Sequence, residues 1–304
     1  MSQASVVIRE VGLRDGLQAE KDFVPTEKKL ELVEALGDAG VRYLETTSFV
    51  SPEAIPQLRD AEELMARVRR EGLVHEVMVP NRKGAQKAIE SGADRLIVFI
   101  SASEAHNQEN VRRSIAASLE DLEGVVELAA DSGVAAGAAI AVAFGCPYQG
   151  WVSRHAVRDI ARRLVQAGAE RITLADTTGL ANPAQIRERI AYFREHLPET
   201  PLCLHLHNNR GLAMANLYAG YQAGVRMFDA SLGGIGGCPN VPRAAGNLAT
   251  EDVVFLFESM GVDTGIDLTR LIHAARMLEK TLGRSLPGQV MKSGPARPAA
   301  CPTR

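Results

Sequence analysis

The chain has 304 residues, 46% of them hydrophobic and 23% charged, with a formal net charge of -3. That length accommodates one large α/β barrel or two smaller domains. Slight acidity without long Lys/Arg runs argues against nucleic acid or an anionic membrane as the main partner, and no apolar stretch is long enough to span a bilayer, so a small-molecule partner is expected.

Short apolar runs of strand length alternate with amphipathic segments of helix length, eight times over. Strands are predicted at Val6–Ile8, Tyr43–Glu45, His75–Val79, Arg95–Ile100, Ala136–Ala143, Arg171–Leu174, Leu202–His205 and Met227–Asp229. The helices that follow them are predicted at Thr26–Ala39, Asp60–Glu71, Arg82–Ser91, Ile115–Ser132, His155–Ala167, Pro183–His196, Leu212–Ala223 and Thr250–Met260. Gly40, Gly92, Gly133, Gly168 and Gly224 close five of these helices. Gly there accepts the left-handed conformation that ends a helix, and its repetition points to equivalent turns around one structure. Eight such units close into a (β/α)8 TIM barrel. A doubly wound open sheet is the rival, but no Gly-x-Gly-x-x-Gly follows the first strand. A further helix, Leu268 to Leu282, makes a short extra C-terminal segment; the barrel domain is therefore expected over 1–284, with a loosely ordered tail over 285–304.

In a barrel the loops after the strands build the chemical face. The first is Arg9-Glu10-Val-Gly12-Leu-Arg14-Asp15-Gly16-Leu-Gln18. Arg14 and Asp15 read either as a solvated ion pair or, through barrel closure, as neighbours of groups from a distant strand. The second loop begins at Glu45, a strand-end carboxylate expected to fix Arg14 or its loop. Asn81, Arg82 and Lys83 put cations and backbone amides at a helix start, suited to a phosphate, although surface charge explains them equally well. Ser101 to Arg113 is read as a long ligand-holding loop. Tyr148 and Asp176 stand in the fifth and sixth loops.

After the seventh strand comes His205-Leu-His207-Asn208-Asn209. Residues i and i+2 of a strand share a face, so both imidazoles can converge on one point. A metal chelate and a hydrogen-bonded strand-end pair remain equal readings. The eighth loop sets four glycines, Gly233, Gly234, Gly236 and Gly237, beside Cys238. Such a backbone can move and approach a ligand closely, favouring a thiol on a mobile lid over a merely buried cysteine. Asn247 can offer an amide oxygen to a metal or cap the last barrel helix. The other cysteines, Cys146, Cys203 and Cys301, form no Cys-x-x-Cys pair, so neither a disulfide framework nor a thiolate zinc site is suggested. With no presequence-like segment before Val6, the chain reads as cytoplasmic.

These strings together resemble the 3-hydroxy-3-methylglutaryl-CoA (HMG-CoA) lyase family of metal-dependent barrel lyases. The resemblance runs from about Ile8 to Met260 and rests on Val-Gly-Leu-Arg-Asp-Gly-Leu-Gln, Glu-Thr-Thr-Ser-Phe-Val-Ser-Pro, Gly-Cys-Pro-Tyr, the His-x-His pair, Gly-Gly-Cys-Pro and Gly-Asn-Leu-Ala-Thr-Glu-Asp. It implies a divalent cation, Mg²⁺ or Mn²⁺, held by Asp15, His205, His207 and Asn247. It also implies a retro-Claisen cleavage of an acyl-CoA, with Arg14 stabilising the enolate and Cys238 as general acid. Asp15 and His205 are both candidates for the general base. Glu10, Gln18, Glu45, Tyr148 and Asp176 fall in the supporting or substrate-binding shell, with Asn81 and Lys83 toward the CoA phosphates, and a homodimer is implied. Animal members carry Asp-Thr after the His pair where this chain has Asn208-Asn209. That leaves open another 3-hydroxyacyl-CoA, such as a longer-branched glutaryl-CoA or citramalyl-CoA. A non-catalytic metal- or CoA-binding paralogue is the reading from another class.

Overall fold

The computed structural model describes residues 5–69, 71–237 and 245–295. Eight parallel strands, β1 (Val7–Glu10), β2 (Tyr43–Ser48), β3 (Val74–Val79), β4 (Arg95–Ser101), β5 (Ala135–Ala141), β6 (Arg171–Asp176), β7 (Leu202–Leu206) and β8 (Met227–Ala230), pair in chain order. β8 returns to β1 with Ile8 opposite Phe228 and Arg9 opposite Asp229, which closes the ring. This is the (β/α)8 barrel, and closure removes every sheet edge. Helices α1 (Thr26–Asp38), α2 (Ala61–Arg67), α3 (Arg82–Glu90), α5 (Ile115–Asp131), α6 (Arg154–Gln166), α7 (Pro183–His196), α8 (Ala213–Gln222) and α9 (Thr250–Ser259) follow the strands, α4 (Glu104–Val111) lies between β4 and α5, and α10 (Leu268–Leu282) packs on α1.

Local chemistry sets the boundaries. Asn182 and Gln185 form a reciprocal capping box at the start of α7, with Pro183 at its first turn, the arrangement that satisfies otherwise orphaned N–H groups. Gly40, Gly92, Gly133, Gly168 and Gly224 all adopt positive φ, from 70° to 115°. Apolar side chains on the outer strand faces, such as Leu44, Val77, Val98, Leu174, Leu204 and Phe228, are fully buried under the helices. Inside the ring the packing is different. Arg9, Glu76, Arg171 and Asp229, from β1, β3, β6 and β8, form a buried ion-pair layer: Arg9 meets Glu76 at 2.7 Å and Asp229 at 2.6 Å, and Arg171 meets Glu76 at 2.7 Å.

Several expectations are corrected. The helix predicted over Asp60–Glu71 ends at Arg67, because Val68 turns extended at ψ 145°. The stretch read as a loop from Ser101 to Arg113 contains α4, nucleated by Ser103, whose Oγ accepts from His106 N at 3.2 Å. The tail does not loosen at Ser285. Leu286, Val290 and Met291 are buried, a short helix α11 (Val290–Ser293) forms, and the N–H groups of Gln289 and Val290 donate to Asp252. Apolar burial and an acidic anchor hold that segment against α9. Residues 296–304, with Cys301, lie outside the described residues. Among the described residues no helix is long and apolar enough to cross a membrane.

Candidate active site

Four strands that adjoin in the ring, β7, β8, β1 and β2, supply the polar groups at its C-terminal mouth. β1 runs into a single π-helical turn, Gly12–Gly16, in which Gly16 N reaches back to Val11 O. Glycine is needed at both ends: a Cβ on Gly12 would lie 2.5 Å from Glu10 Oε1, and one on Gly16 2.6 Å from Ile235. The turn presents Arg14 and Asp15 together. Arg14 Nη1 donates to Asp15 Oδ1 at 2.8 Å, while Nε and Nη2 donate to Glu45 Oε2 at 2.9 and 2.6 Å. Glu45, fully buried on β2, thus fixes Arg14 as the sequence suggested.

His205, near the end of β7, and His207, just beyond it, bring their Nε2 atoms to 2.9 Å of each other. Asp15 Oδ2 lies 4.0 Å from the first and 3.6 Å from the second. One ligand atom from each of Asp15, His205 and His207 falls within 4.8 Å of the others, a group that could hold a metal ion. Two ring nitrogens facing each other beside a carboxylate oxygen are a mixed imidazole and carboxylate set of the kind that binds first-row divalent ions, the series to which Mn²⁺ belongs. The donors present therefore fit the implied cation. Asn247 joins this group through a bridge to His207, and its Nδ2 donates to Asp15 Oδ2 at 2.7 Å and to Ile235 O at 3.1 Å. It does not cap α9, which starts without a side-chain cap. As a metal ligand it must present Oδ1 on the side where Nδ2 now meets Asp15.

Electrostatics separate the acids into two kinds. Burial pushes the Asp15 carboxyl up, but the Arg14 charge and the two imidazoles outweigh it and hold it well below the ordinary range. Asp229 behaves likewise: burial is overcome by Arg9 and His205, so it stays ionised. His205 is lifted above its ordinary value, burial being outweighed by Asp229 and Asp15. Glu10 and Glu251 are the other kind, raised by burial to about 7 and about 8. Both grip the glycine-rich loop: Glu10 Oε1 accepts from Leu232 N at 2.8 Å, and Glu251 Oε2 from Gly233 N at 3.0 Å.

The remaining predicted residues are spread more widely. Asp176 ends β6, accepts from the N–H groups of Leu180 and Ala181, and is raised by burial. Gln18 is half-buried just past the π turn, and Tyr148 is 49% exposed on the rim, its ring 6.0 Å from His106. Asn81 Oδ1 caps α3 by accepting from Gly84 N, with Lys83 exposed on the first turn. Cys238 lies outside the described residues. Sequence reasoning missed Arg9 and Asp229. Each stands at the end of a short apolar run, Val6–Ile8 and Met227–Phe228, where the sequence alone gives no sign that it faces the barrel interior.

Fold and site together define a (β/α)8-barrel enzyme with a candidate metal centre at its C-terminal mouth. The chain belongs to the HMGL-like family, whose model matches residues 5–278. It is 42% identical to the (R)-citramalyl-CoA lyase of Chloroflexus aurantiacus, over 97% of this chain and 96% of that protein. It is 40% identical to the hydroxymethylglutaryl-CoA lyase YngG of Bacillus subtilis, over 95% and 98% respectively. An HMG-CoA lyase from Acinetobacter baumannii, solved with coenzyme A and 3-methylmalate, shares the fold at a TM-score of 0.92 and 41% identity, covering 97% of each chain. With such relatives along almost its whole length, this enzyme is a carbon–carbon lyase.

Proposed function

We propose that the enzyme cleaves HMG-CoA to acetyl-CoA and acetoacetate with a divalent cation, Mg²⁺ or Mn²⁺, held by Asp15, His205, His207 and Asn247. The observation that carries this reading is the convergence of Asp15, His205 and His207 on one point directly beside Arg14. When bound, the cation supplies Lewis-acid polarisation of the substrate's tertiary hydroxyl. Asp15 and His205 are the candidates for the base; His205 has only the Nε2 lone pair, which faces the cation, so Asp15, with two carboxylate oxygens, takes the hydroxyl proton. As the C–O⁻ becomes a carbonyl, the Cα–Cβ bond breaks and its electron pair moves into the thioester enolate. Arg14, immobilised by Glu45 and Asp15, offers that enolate a pre-oriented positive charge. Cys238 then gives its proton to the enolate carbon, and the proton taken from the hydroxyl restores the thiol. Gln18, Glu45, Tyr148 and Asp176 complete the substrate pocket, and Asn81 and Lys83 face the CoA phosphates.

A second reading is favoured by the 42% identity to the citramalyl-CoA lyase. Citramalyl-CoA is one methylene shorter between the tertiary carbinol and the free carboxylate, and it would yield pyruvate in place of acetoacetate. A pocket distinguishes one methylene by about 1–3 kcal/mol, roughly 10- to 200-fold. Purified enzyme with Mg²⁺ is given each thioester, and acetyl-CoA, acetoacetate and pyruvate are quantified. A higher kcat/KM on HMG-CoA is expected; a preference for citramalyl-CoA moves the substrate, and metal binding without turnover of either leaves a non-catalytic paralogue. We further propose that the enzyme acts in the cytoplasm as a homodimer, which light scattering tests by a particle of twice the chain mass.

A further inference from the structure

One carboxylate beneath the candidate metal centre receives four donors. Asp229, on β8 and 3% exposed, accepts from Arg9 Nε at 2.7 Å, Arg9 Nη2 at 2.6 Å, Cys203 Sγ at 3.0 Å and His205 Nδ1 at 3.1 Å. Arg9 is itself held from the other side, Nη1 donating to Glu76 at 2.7 Å, and Glu76 is held by both Nη atoms of Arg171 at 2.9 and 2.7 Å. Asp229 is therefore rigid on both flanks. The structural explanation is that these are simply the ion pairs of the barrel interior. Yet buried ion pairs are poor sources of stability compared with apolar packing of the same volume, and barrel interiors are ordinarily filled by branched apolar layers. Among the described residues the layer hydrogen-bonds to the candidate metal site through the Asp229–His205 contact.

That contact settles which nitrogen of His205 is available. Asp229, an acceptor only, requires the proton on Nδ1. The lone pair is left on Nε2, the atom that faces His207 Nε2 and Asp15 Oδ2. His207 has no counterpart: among the described residues its buried Nδ1 has no hydrogen-bond partner. The two imidazoles are thus unequal: the distal nitrogen of His205 meets a fixed carboxylate, and that of His207 meets no hydrogen-bond partner among the described residues. A carboxylate on the distal nitrogen fixes both tautomer and ring orientation of a metal-binding histidine.

We propose that Asp229, clamped by Arg9, is a positioning residue for His205: it fixes the Nδ1–H tautomer and aims Nε2 at the metal site. The proposal rests on the reading of Asp15, His205 and His207 as metal ligands. Two measurements test it on the full-length protein without substrate. Mn²⁺ binding is followed by the loss of the free-ion EPR signal for the wild type, Asp229→Asn and Glu76→Gln. The tautomer of neutral His205 in the metal-free wild type is read at alkaline pH from two-bond ¹H–¹⁵N correlations, with its signals assigned by their loss in His205→Gln. Asp229→Asn should weaken Mn²⁺ binding about 10- to 100-fold. Glu76→Gln, which disturbs the same ion-pair layer without touching His205, should keep wild-type affinity, and wild-type His205 should carry its proton on Nδ1. Wild-type affinity in Asp229→Asn, equal losses in both variants, or a proton on Nε2 would each overturn the proposal. Should Asp229→Asn not fold, the wild-type tautomer alone decides. Wild-type protein that takes up no Mn²⁺ overturns the ligand reading and the proposal with it, an outcome distinct from equal binding by wild type and Asp229→Asn.

Discussion

Glu10 should make the stability of the fold depend on pH in a direction opposite to that of an ion-paired acid. Its side chain is wholly buried, and desolvation raises it from an ordinary 4.5 to about 7 even though Thr250 and the N–H groups of Leu232 and Gly12 donate to it. The native state therefore holds a proton that the unfolded chain has released. The contribution is fully present below pH 4.5 and is lost as pH rises through about 7. At about 1.4 kcal/mol per pH unit across that window, the loss is about 3 kcal/mol, or roughly 6 °C in Tm for a chain of this size. Glu10→Gln keeps an oxygen for Leu232 N and an N–H for Thr250 but cannot titrate. Thermal melts of wild type and variant between pH 5 and pH 8.5 should thus show the wild type losing ground to the variant as pH rises. Glu251, pushed to about 8, is common to both proteins and largely drops out of the difference. A wild-type-minus-variant difference that stays flat across the range would refute the claim that Glu10 is protonated in the native state.

Arg14→Lys keeps one positive charge but loses the fork that meets Glu45 and Asp15; kcat should fall about 10²- to 10³-fold, measured by steady-state release of acetyl-CoA. Cys238→Ala should lower turnover by about 10²- to 10⁴-fold while Mn²⁺ binding, followed by EPR, persists; unchanged turnover would remove the thiol from the chemistry. Gly246→Ala places a Cβ 2.7 Å from Gly236 O and 2.8 Å from Gly234 O at a φ of +84°. It should cost about 1–3 kcal/mol in urea melts, together with activity, because Asn247 is the next residue.

The barrel was legible because each of its signals is local. Periodicity marks the strands and helices, and five terminal glycines mark their turns, so β1–β8 follow in order. The convergence of Asp15, His205 and His207 was legible for a different reason: the two histidines share a strand face, and Asp15 needs only ring closure to meet them. The interior ion-pair layer was not. Arg9, Glu76, Arg171 and Asp229 are far apart in sequence, and each reads alone as a polar residue at the margin of a strand, because only the closed ring shows which face it occupies. The helix α4 was missed because Glu104–Val111 carries almost no apolar stripe, leaving the Ser103 cap as its main sign. The ordered segment after Ser285 was missed because a Gly/Pro-bearing stretch hides three burying side chains, Leu286, Val290 and Met291.

The β1–β8 seam gives the molecule a built-in order of assembly. A chain leaving the ribosome has its Arg14–Asp15–Glu45 corner early, but His205 arrives 160 residues after Glu45, and Asn247 later still. Because domains complete as units during synthesis, a truncated or half-made polypeptide carries one side of the cation cradle with nothing facing it. On the proposed ligand set, metal capture waits until the ring shuts, so uptake of the ion would itself report a finished barrel.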